Sequence, residues 1–279
     1  MNVAEHAQLA LLLEVSGTPK PGNVDRCREY PDLRFSHFLA GAVGARPGLD
    51  AAADPEGPGV GAAFERAVEG MSRQSGGNTQ FGALLLVVPL VRAAALGELS
   101  PAGASAVVEA TTVEDAVAFY RAFDHVDVSV AEPPAGWAPL DVRRGGAAAT
   151  TLRARGLTLY DVMATSAERD GVAREWTDGF SRSFRAADLL ADASGPVTDR
   201  AATAYLHLLA EAPDTFVVIQ HDEATARSVS ERARAALDGD VDPDDLADDL
   251  VSAGVNPGTT ADLVAAGLFV ALSRGTVSV

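Results

Sequence analysis

The sequence is nearly devoid of lysine: of its 22 basic residues, Lys20 alone is a lysine and the others are arginines. Acidic residues number 39, which gives a formal charge of −17. Nonspecific binding to nucleic acid needs a basic surface, so we expect no nucleic-acid partner. An acidic surface with almost no lysine is typical of adaptation to high salt, where self-repulsion is screened.

Cysteine and long apolar runs are also scarce. Cys27 is the only cysteine, which excludes an internal disulfide and is compatible with the cytosol. The most apolar window, residues 82–97, contains Pro89 and Arg92 and is shorter than the roughly 20 residues that span a bilayer. Residues 1–15 carry Glu5 and no basic segment typical of a signal peptide. We therefore expect a cytoplasmic protein without membrane contact.

Strand signals are nearly absent. Only residues 215–219 look like a strand, and a single strand has nothing to pair with. Helical periodicity recurs elsewhere, including one helix over residues 171–190 and a buried central helix over residues 81–96. Residues 46–61 are rich in Gly, Pro and Asp and are predicted to be a loop, and residues 127–151 a surface excursion or a lid. The sequence predicts an all-α fold, a multi-helix bundle that forms a single domain over residues 1–279.

Three polar segments could carry chemistry. The first, residues 17–26, is a loop stiffened by two prolines, and from Lys20 to Arg26 it offers an ammonium, an amide, a carboxylate and a guanidinium. The second, residues 75–80, is rich in glycine and precedes the central helix, whose N-terminus would attract anions. The third, residues 256–262, places two hydroxyls and a carboxylate at the start of another apolar helix. Each could equally be a simple turn or helix cap.

Together the three segments resemble the triphosphoribosyl-dephospho-CoA synthase family. Thr-Pro-Lys-Pro-Gly at residues 18–22 with Val-Asp-Arg at 24–26 is similar to that family's opening motif. Gly-Gly-Asn-Thr at 76–79 resembles its Gly-Gly-x-Asn-Thr less one residue, and Pro257-Gly258 with Ala-Asp-Leu at 261–263 resembles its Pro-Gly-Gly-Ser-Ala-Asp-Leu. Weaker similarity at Asp32, at residues 174–180 and at residues 214–215 extends the likeness over nearly the whole chain.

The chain also departs from the family pattern. Gln80 and Phe81 stand where the family has histidine and lysine after its Asn-Thr pair. Phe216 replaces an asparagine, and residues 220–222 replace an Arg-Gly-Gly. These substitutions change polar groups that we expect to face a ligand. The acceptor substrate of this branch is therefore expected to differ from that of the family, more than the nucleotide does.

The resemblance implies an all-helical, ATP-dependent transferase that moves the triphosphoribosyl unit of ATP to a ribose hydroxyl of dephospho-CoA or a related acceptor, with release of adenine. It implies Mg²⁺ as cofactor and a nucleotide and a CoA-like acceptor as small-molecule partners. The expected phosphate-binding residues are Lys20, Arg26, Gly76, Gly77, Asn78, Thr79, Thr259 and Thr260. The expected metal ligands are Asp25 and Asp32, and the expected catalytic residues are Asp25, Glu175 and Asp262.

Two alternatives remain open at this point. One is a nucleotide-processing enzyme with the same triphosphate site but a different acceptor, or water, which would make it a nucleosidase. The other is a nucleotide-binding helical protein without catalysis. A homodimer is the default expectation for a helical enzyme.

Overall fold

Two apolar helices form the centre of the structure, a computed structural model that describes residues 1–279. Helix α5 (Phe81–Ala95) is buried on nearly all sides, as is helix α16 (Gly258–Arg274), and the two pack against each other. A helix that is apolar all round must lie inside the protein. The remaining helices surround this pair, and one connected core of 72 buried residues extends from Ala4 to Val277.

The structure is helical throughout and contains no strand. It therefore confirms the all-α prediction. Two short 3-10 helices lie between α7 and α8, at Ala138–Leu140 and Val142–Ala148. The other α-helices are α1 Val3–Ser16, α2 Phe35–Gly44, α3 Arg46–Ala52, α4 Val60–Met71, α6 Pro101–Glu109, α7 Val113–Ala122, α8 Ala149–Arg155, α9 Leu159–Ser166, α10 Gly171–Thr177, α11 Ser181–Asp192, α12 Val197–Glu211, α13 Thr215–Gln220, α14 Glu223–Leu237 and α15 Pro243–Ser252.

Three local predictions are wrong. Residues 46–61 are not all loop, because α3 occupies the first seven and α4 begins at Val60; proline is tolerated in the first turn of α3. Residues 215–219 belong to helix α13, since the Asp214 carboxylate accepts the N–H groups of Phe216 and Val217 and caps a helix there. The single helix over residues 171–190 is two helices, α10 and α11.

The break between α10 and α11 has a backbone cause. Gly179 and Phe180 both adopt positive φ angles, 74° and 59°, which no helix interior tolerates. The chain therefore turns between the two helices, and α11 packs extensively on α16 while α10 packs against α9.

Residues 127–142 cross the surface without regular α-helix and form one wall of the cavity described below. The hydroxyl of buried Tyr120 donates to the Leu140 carbonyl at 2.6 Å, which fixes the far end of this segment to α7. No helix is both long and apolar enough to cross a membrane.

Candidate active site

A cavity of about 340 Å³ lies where the three polar segments meet. Its floor is formed by the start of α5 and the start of α16, and its sides by the N-terminal loop, α10, α13 and residues 127–142. One part of the wall is aromatic and aliphatic, with Phe119, Phe123 and Trp137. The polar part includes Glu14, Asn23, Asn78, Thr79, Gln80, Arg169, Asp170, Asn256, Thr259 and Asp262.

The first and third segments contact each other directly. The Asn23 side chain donates to the Asn256 side chain at 2.8 Å. The hydroxyl of Tyr205, which is fully buried, donates to the Pro21 carbonyl at 2.9 Å. Gly22 has a φ of 76°, and a side chain there would collide with the Val255 carbonyl. The loop thus depends on a glycine at this position to lie against the turn before α16.

Lys20 is completely buried, and its ammonium group donates to the side chains of Glu14 and Asn23. Glu14 and Asn23 line the cavity and Lys20 does not. Burial raises the pKa of Glu14, and the adjacent Lys20 ammonium partly offsets that rise. The structure therefore places Lys20 one layer behind the cavity wall, where it holds two cavity-lining groups.

Asp25 is also fully buried and does not line the cavity. Its carboxylate accepts the backbone N–H groups of Lys20, Cys27 and Arg28 and the hydroxyl of Thr18. Because its oxygens are engaged by its own loop, the structure gives Asp25 a role in shaping that loop. The prediction that it is a metal ligand or catalytic group stays a prediction, without support from this geometry.

Two further predicted residues of the N-terminal region lie outside the cavity. Arg26 is exposed, and its guanidinium donates to the Ser16 carbonyl at 2.8 Å. Asp32 is exposed as well and is absent from the cavity wall, whereas its neighbour Leu33 is part of it. The structure therefore does not bring Arg26 and Asp32 together with the other predicted site residues.

The second segment reaches the cavity through Asn78, Thr79 and Gln80. The Asn78 side chain accepts the Phe81 N–H at 3.0 Å and so helps to begin α5. Gly76 and Gly77 do not line the cavity; Gly76 lies against the ring of His37. Of this segment, the second half alone is in a position to contact a ligand.

The third segment is joined to α13 by hydroxyl and carboxylate contacts. The Thr260 hydroxyl and N–H both donate to buried Asp214 at 2.7 Å. The hydroxyls of Thr259 and Thr215 lie 3.1 Å apart, and Thr215 accepts the Gly171 N–H. Thr259 lines the cavity, whereas Thr260 is 1% exposed and points to Asp214. Thr260 therefore fastens α16 to α13.

Asp262 lines the cavity and places its carboxylate against the first turn of α5. A side chain on Gly82 would collide with this carboxylate, so the close approach of α16 to α5 requires glycine there. Burial raises the pKa of Asp262 well above its usual range, and nearby Glu14 and Asp214 add to the rise. A carboxyl group with a raised pKa is suited to proton transfer near neutral pH.

Glu175 is buried but lies outside the cavity. Its carboxylate accepts the N–H groups of Arg182 and Ser183 and the Ser183 hydroxyl, at 2.6–3.0 Å. These are the free N–H groups in the first turn of α11, so Glu175 caps that helix from α10. The structure gives it a structural contact rather than a place beside a ligand.

Several cavity residues were not predicted from the sequence, among them three charged residues near the polar segments, Glu14, Arg169 and Asp170. Glu14 lies in the last turn of α1, and its only signal was a single acid in an otherwise apolar helix end. Asp170 caps α10 through the Val172 and Ala173 N–H groups and faces the cavity. Arg169 precedes it, is exposed at the cavity, and forms no salt bridge; nothing in its local sequence distinguishes it from the other arginines.

The charges on the cavity wall are unbalanced. Arg169 is the only basic residue among the lining residues, and six carboxylates accompany it, those of Glu14, Asp127, Glu132, Asp141, Asp170 and Asp262. No three acidic, histidine or cysteine side chains are close enough to form a metal cage. Mg²⁺ commonly binds through one or two carboxylates together with substrate phosphates, and oxygen donors of that kind are present. The donor chemistry of the wall therefore fits Mg²⁺ delivered with a phosphate ligand.

An all-α fold in which three polar segments meet at an acidic cavity defines the class of protein, a helical small-molecule enzyme. The model of the CitG family, ATP:dephospho-CoA triphosphoribosyl transferase, matches residues 1–278. The chain belongs to this family.

A solved structure supports the same assignment. The chain is similar to an Archaeoglobus fulgidus protein described as a candidate triphosphoribosyl-dephospho-CoA synthase, with 29% identity and a TM-score of 0.68. The match covers 85% of this chain and 99% of that one. A comparison with curated proteins found no match.

Proposed function

We propose that this protein transfers the triphosphoribosyl unit of ATP to a ribose hydroxyl of dephospho-CoA, or of a related acceptor, and releases adenine. The observation that carries the proposal is the meeting of all three family segments at one cavity, where Asn23, Asn78 and Asp262 lie on its wall. Family membership supplies the reaction class, and the cavity supplies groups suited to it.

In this reaction the bond between ribose C1′ and the adenine nitrogen breaks, the electron pair leaves with adenine, and adenine takes up one proton to be released as the neutral base. Positive charge develops on the ribose, and the acceptor oxygen forms the new bond to C1′. Carboxylates near the sugar stabilise that charge. We assign Asp262 to accept the proton of the attacking hydroxyl, because it faces the cavity and its raised pKa makes it a stronger base than an ordinary aspartate.

The triphosphate needs positive charge in a cavity that has six carboxylates. Arg169 is the side chain available to pair with phosphate oxygens, and a guanidinium can do so with two parallel hydrogen bonds. Glu14 and Asp170 are the carboxylates that would hold Mg²⁺ beside the phosphates. When bound, Mg²⁺ would neutralise phosphate charge. Thr259 and the Asn78 amide would add neutral contacts.

The direct test is to incubate the purified protein with ATP, Mg²⁺ and dephospho-CoA at high salt and to measure adenine by chromatography. Mass spectrometry of the second product should find dephospho-CoA increased by one triphosphoribosyl unit. Ribose triphosphate in its place would indicate a nucleosidase instead. Adenine released with neither product, or no adenine with any acceptor tried, would refute the proposal.

A matched pair of variants tests the site. Asp262→Asn should reduce adenine release by about 10²–10⁴-fold, the usual contribution of a positioned acid or base. Asp32→Asn changes an exposed acid outside the cavity and should leave the rate unchanged. Equal rates for the two variants would remove Asp262 from the proposed mechanism.

A further inference from the structure

The aromatic part of the cavity wall contains no group that suits phosphate, metal or proton transfer. Phe123, at the end of α7, and Trp137 both line the cavity and are half-buried, so part of each side chain stays open. The Phe123 ring packs against the buried rings of Phe81 and Phe119, with centroids 4.8 and 5.3 Å away. These buried rings support Phe123 from behind and hold it in place at the wall.

Trp137 is held close to the same stretch of chain. The Trp137 carbonyl accepts the Leu140 N–H at 2.7 Å, and the Leu140 carbonyl accepts the Tyr120 hydroxyl at 2.6 Å. Tyr120 lies in the last turn of α7, three positions before Phe123, and it is fully packed in the core. The two half-buried aromatic residues therefore belong to one part of the wall, which is fastened to the end of α7.

Charge keeps a phosphate out of this part of the cavity. The two carboxylates of Glu132 and Asp141 are bound by the guanidinium of Arg143, at 2.9 and 2.7 Å. Arg143 does not line the cavity, and its hydrogen bonds lower the pKa of Asp141, which therefore stays ionised. The only basic lining residue, Arg169, precedes α10. A triphosphate is thus favoured near α10, and an uncharged group is favoured beside the aromatic rings.

The order of groups in ATP fits the order of groups along the wall. Ribose joins the triphosphate to the base, and its C1′ must lie near Asp262 for the proposed transfer. The Asp262 carboxylate lies against Gly82, the residue after Phe81, and the Phe81 ring contacts that of Phe123. The aromatic part therefore begins next to the proposed position of C1′. A flat base attached to C1′ can stack there on a ring face.

We propose that Trp137 and Phe123 bind the adenine of ATP by stacking, while the triphosphate lies toward Arg169. This inference rests on the proposed function, because it takes ATP as the nucleotide and Asp262 as the group beside C1′. Trp137 and Phe123 are specificity-determining residues and take no part in proton transfer. They favour a nucleotide that carries a base over a triphosphate alone, and they hold the base so that C1′ faces the acceptor.

Calorimetry with Mg²⁺ and without acceptor tests the stacking. It compares ATP with inorganic triphosphate, which has no base, and wild type should bind ATP more tightly. Trp137→Ala should weaken ATP binding by about tenfold or more, the effect of one lost stacking ring, and leave triphosphate binding unchanged. Phe123→Leu, which keeps an apolar side chain without the ring, should change both affinities in the same way. Leu96→Ala replaces an exposed apolar residue outside the cavity and should bind both ligands as wild type does.

Tryptophan emission gives a second readout, in a variant that keeps an aromatic ring. The chain has two tryptophans, and Trp176 is 1% exposed and does not line the cavity. ATP should therefore change the emission of wild type through Trp137, whereas inorganic triphosphate should not. Trp137→Phe should still bind ATP, because its ring can stack, but without the change in emission. The full change in Trp137→Phe would overturn the inference.

The affinities decide between the possible occupants of the aromatic part. Unchanged ATP affinity in Trp137→Ala, or an equal loss for ATP and triphosphate, would overturn the inference. Weaker binding of dephospho-CoA with unchanged binding of ATP would also overturn it, because the aromatic part would then hold the acceptor. Stacking-dependent ATP binding without adenine release would refute the proposed function and leave this inference intact. Absence of ATP binding by wild type would overturn both.

Discussion

Removal of the lysine ammonium should destabilise the protein strongly even in the absence of any ligand. Lys20 is 0% exposed, and its partner Glu14 is 4% exposed. Lys20→Met leaves the Glu14 carboxylate buried without a cation, which typically costs about 3–5 kcal/mol. At about 2–4 °C per kcal/mol for a domain of this size, we expect Tm to fall by about 6–20 °C. Thermal or urea unfolding of the ligand-free protein measures the change.

A second substitution separates lost charge pairing from lost packing. In Lys20→Met/Glu14→Gln no unpaired charge remains, so most of the lost stability should return. A residual deficit of about 1–3 kcal/mol should persist, because the Asn23 side-chain oxygen still lacks its donor. The reasoning would be refuted if Lys20→Met stayed within about 1 kcal/mol of wild type, or if the double variant were no more stable than the single one.

The stability deficit of Lys20→Met relative to wild type should increase with pH. Burial raises the pKa of Glu14, and loss of Lys20 removes the charge that opposes this rise. Below the ordinary carboxyl range Glu14 is neutral in both folded and unfolded states, so the deficit of Lys20→Met should be smallest there. The deficit should grow as pH rises toward the raised pKa of Glu14 in the folded state. A deficit independent of pH would contradict the assigned pairing.

Three further predictions concern the other charged groups. The acid limb of the pH–rate profile should lie above the ordinary aspartate range, because Asp262 has a raised pKa and must be ionised to act as a base; the limb should be absent from the residual activity of Asp262→Asn. Arg169→Met should weaken ATP binding in calorimetry by about tenfold or more, whereas Arg26→Met, outside the cavity, should bind as wild type does. Glu175→Gln should lower the stability by about 1–3 kcal/mol while KM for ATP stays unchanged, because Glu175 caps a helix outside the cavity.

The helical fold could be predicted because its signals are local. Helix α5 is apolar on every face, so its burial followed from composition alone. The N-caps of α6 and α7 are signals of the same local kind: the side chains of Ser100 and Thr112 accept an N–H group in the first turn, from Gly103 and Asp115. Capping needs only residues three positions apart, which a sequence displays directly.

The predictions that were wrong, and the cavity residues that were missed, share a different cause: they depend on contacts between distant parts of the chain. Residues 215–219 have the β-branched composition of a strand, but Asp214 caps them as a helix and Thr260 of α16 binds the same carboxylate. Asp170 precedes α10, and the start of α10 lies beside the starts of α13 and α16, where Gly171, Thr215 and Thr259 are linked by hydrogen bonds. This arrangement brings Asp170 to the cavity. Such placements depend on contacts between residues more than 40 positions apart in the sequence, which no local pattern specifies.

The lone lysine shows how both kinds of signal combine. Its rarity in an acidic, arginine-rich chain singled out the N-terminal loop, and Asn23 of that loop lines the cavity. The contact between Lys20 and Glu14 could not be predicted from the number of lysines. Glu14 belongs to the preceding helix, α1, and becomes buried when the loop folds over that helix. A compact ammonium fits between Glu14 and Asn23, whereas a planar guanidinium is larger and needs more space. By neutralising Glu14 from behind the wall, Lys20 reduces the negative charge that a triphosphate would meet, so it can favour phosphate binding without contact with the phosphate.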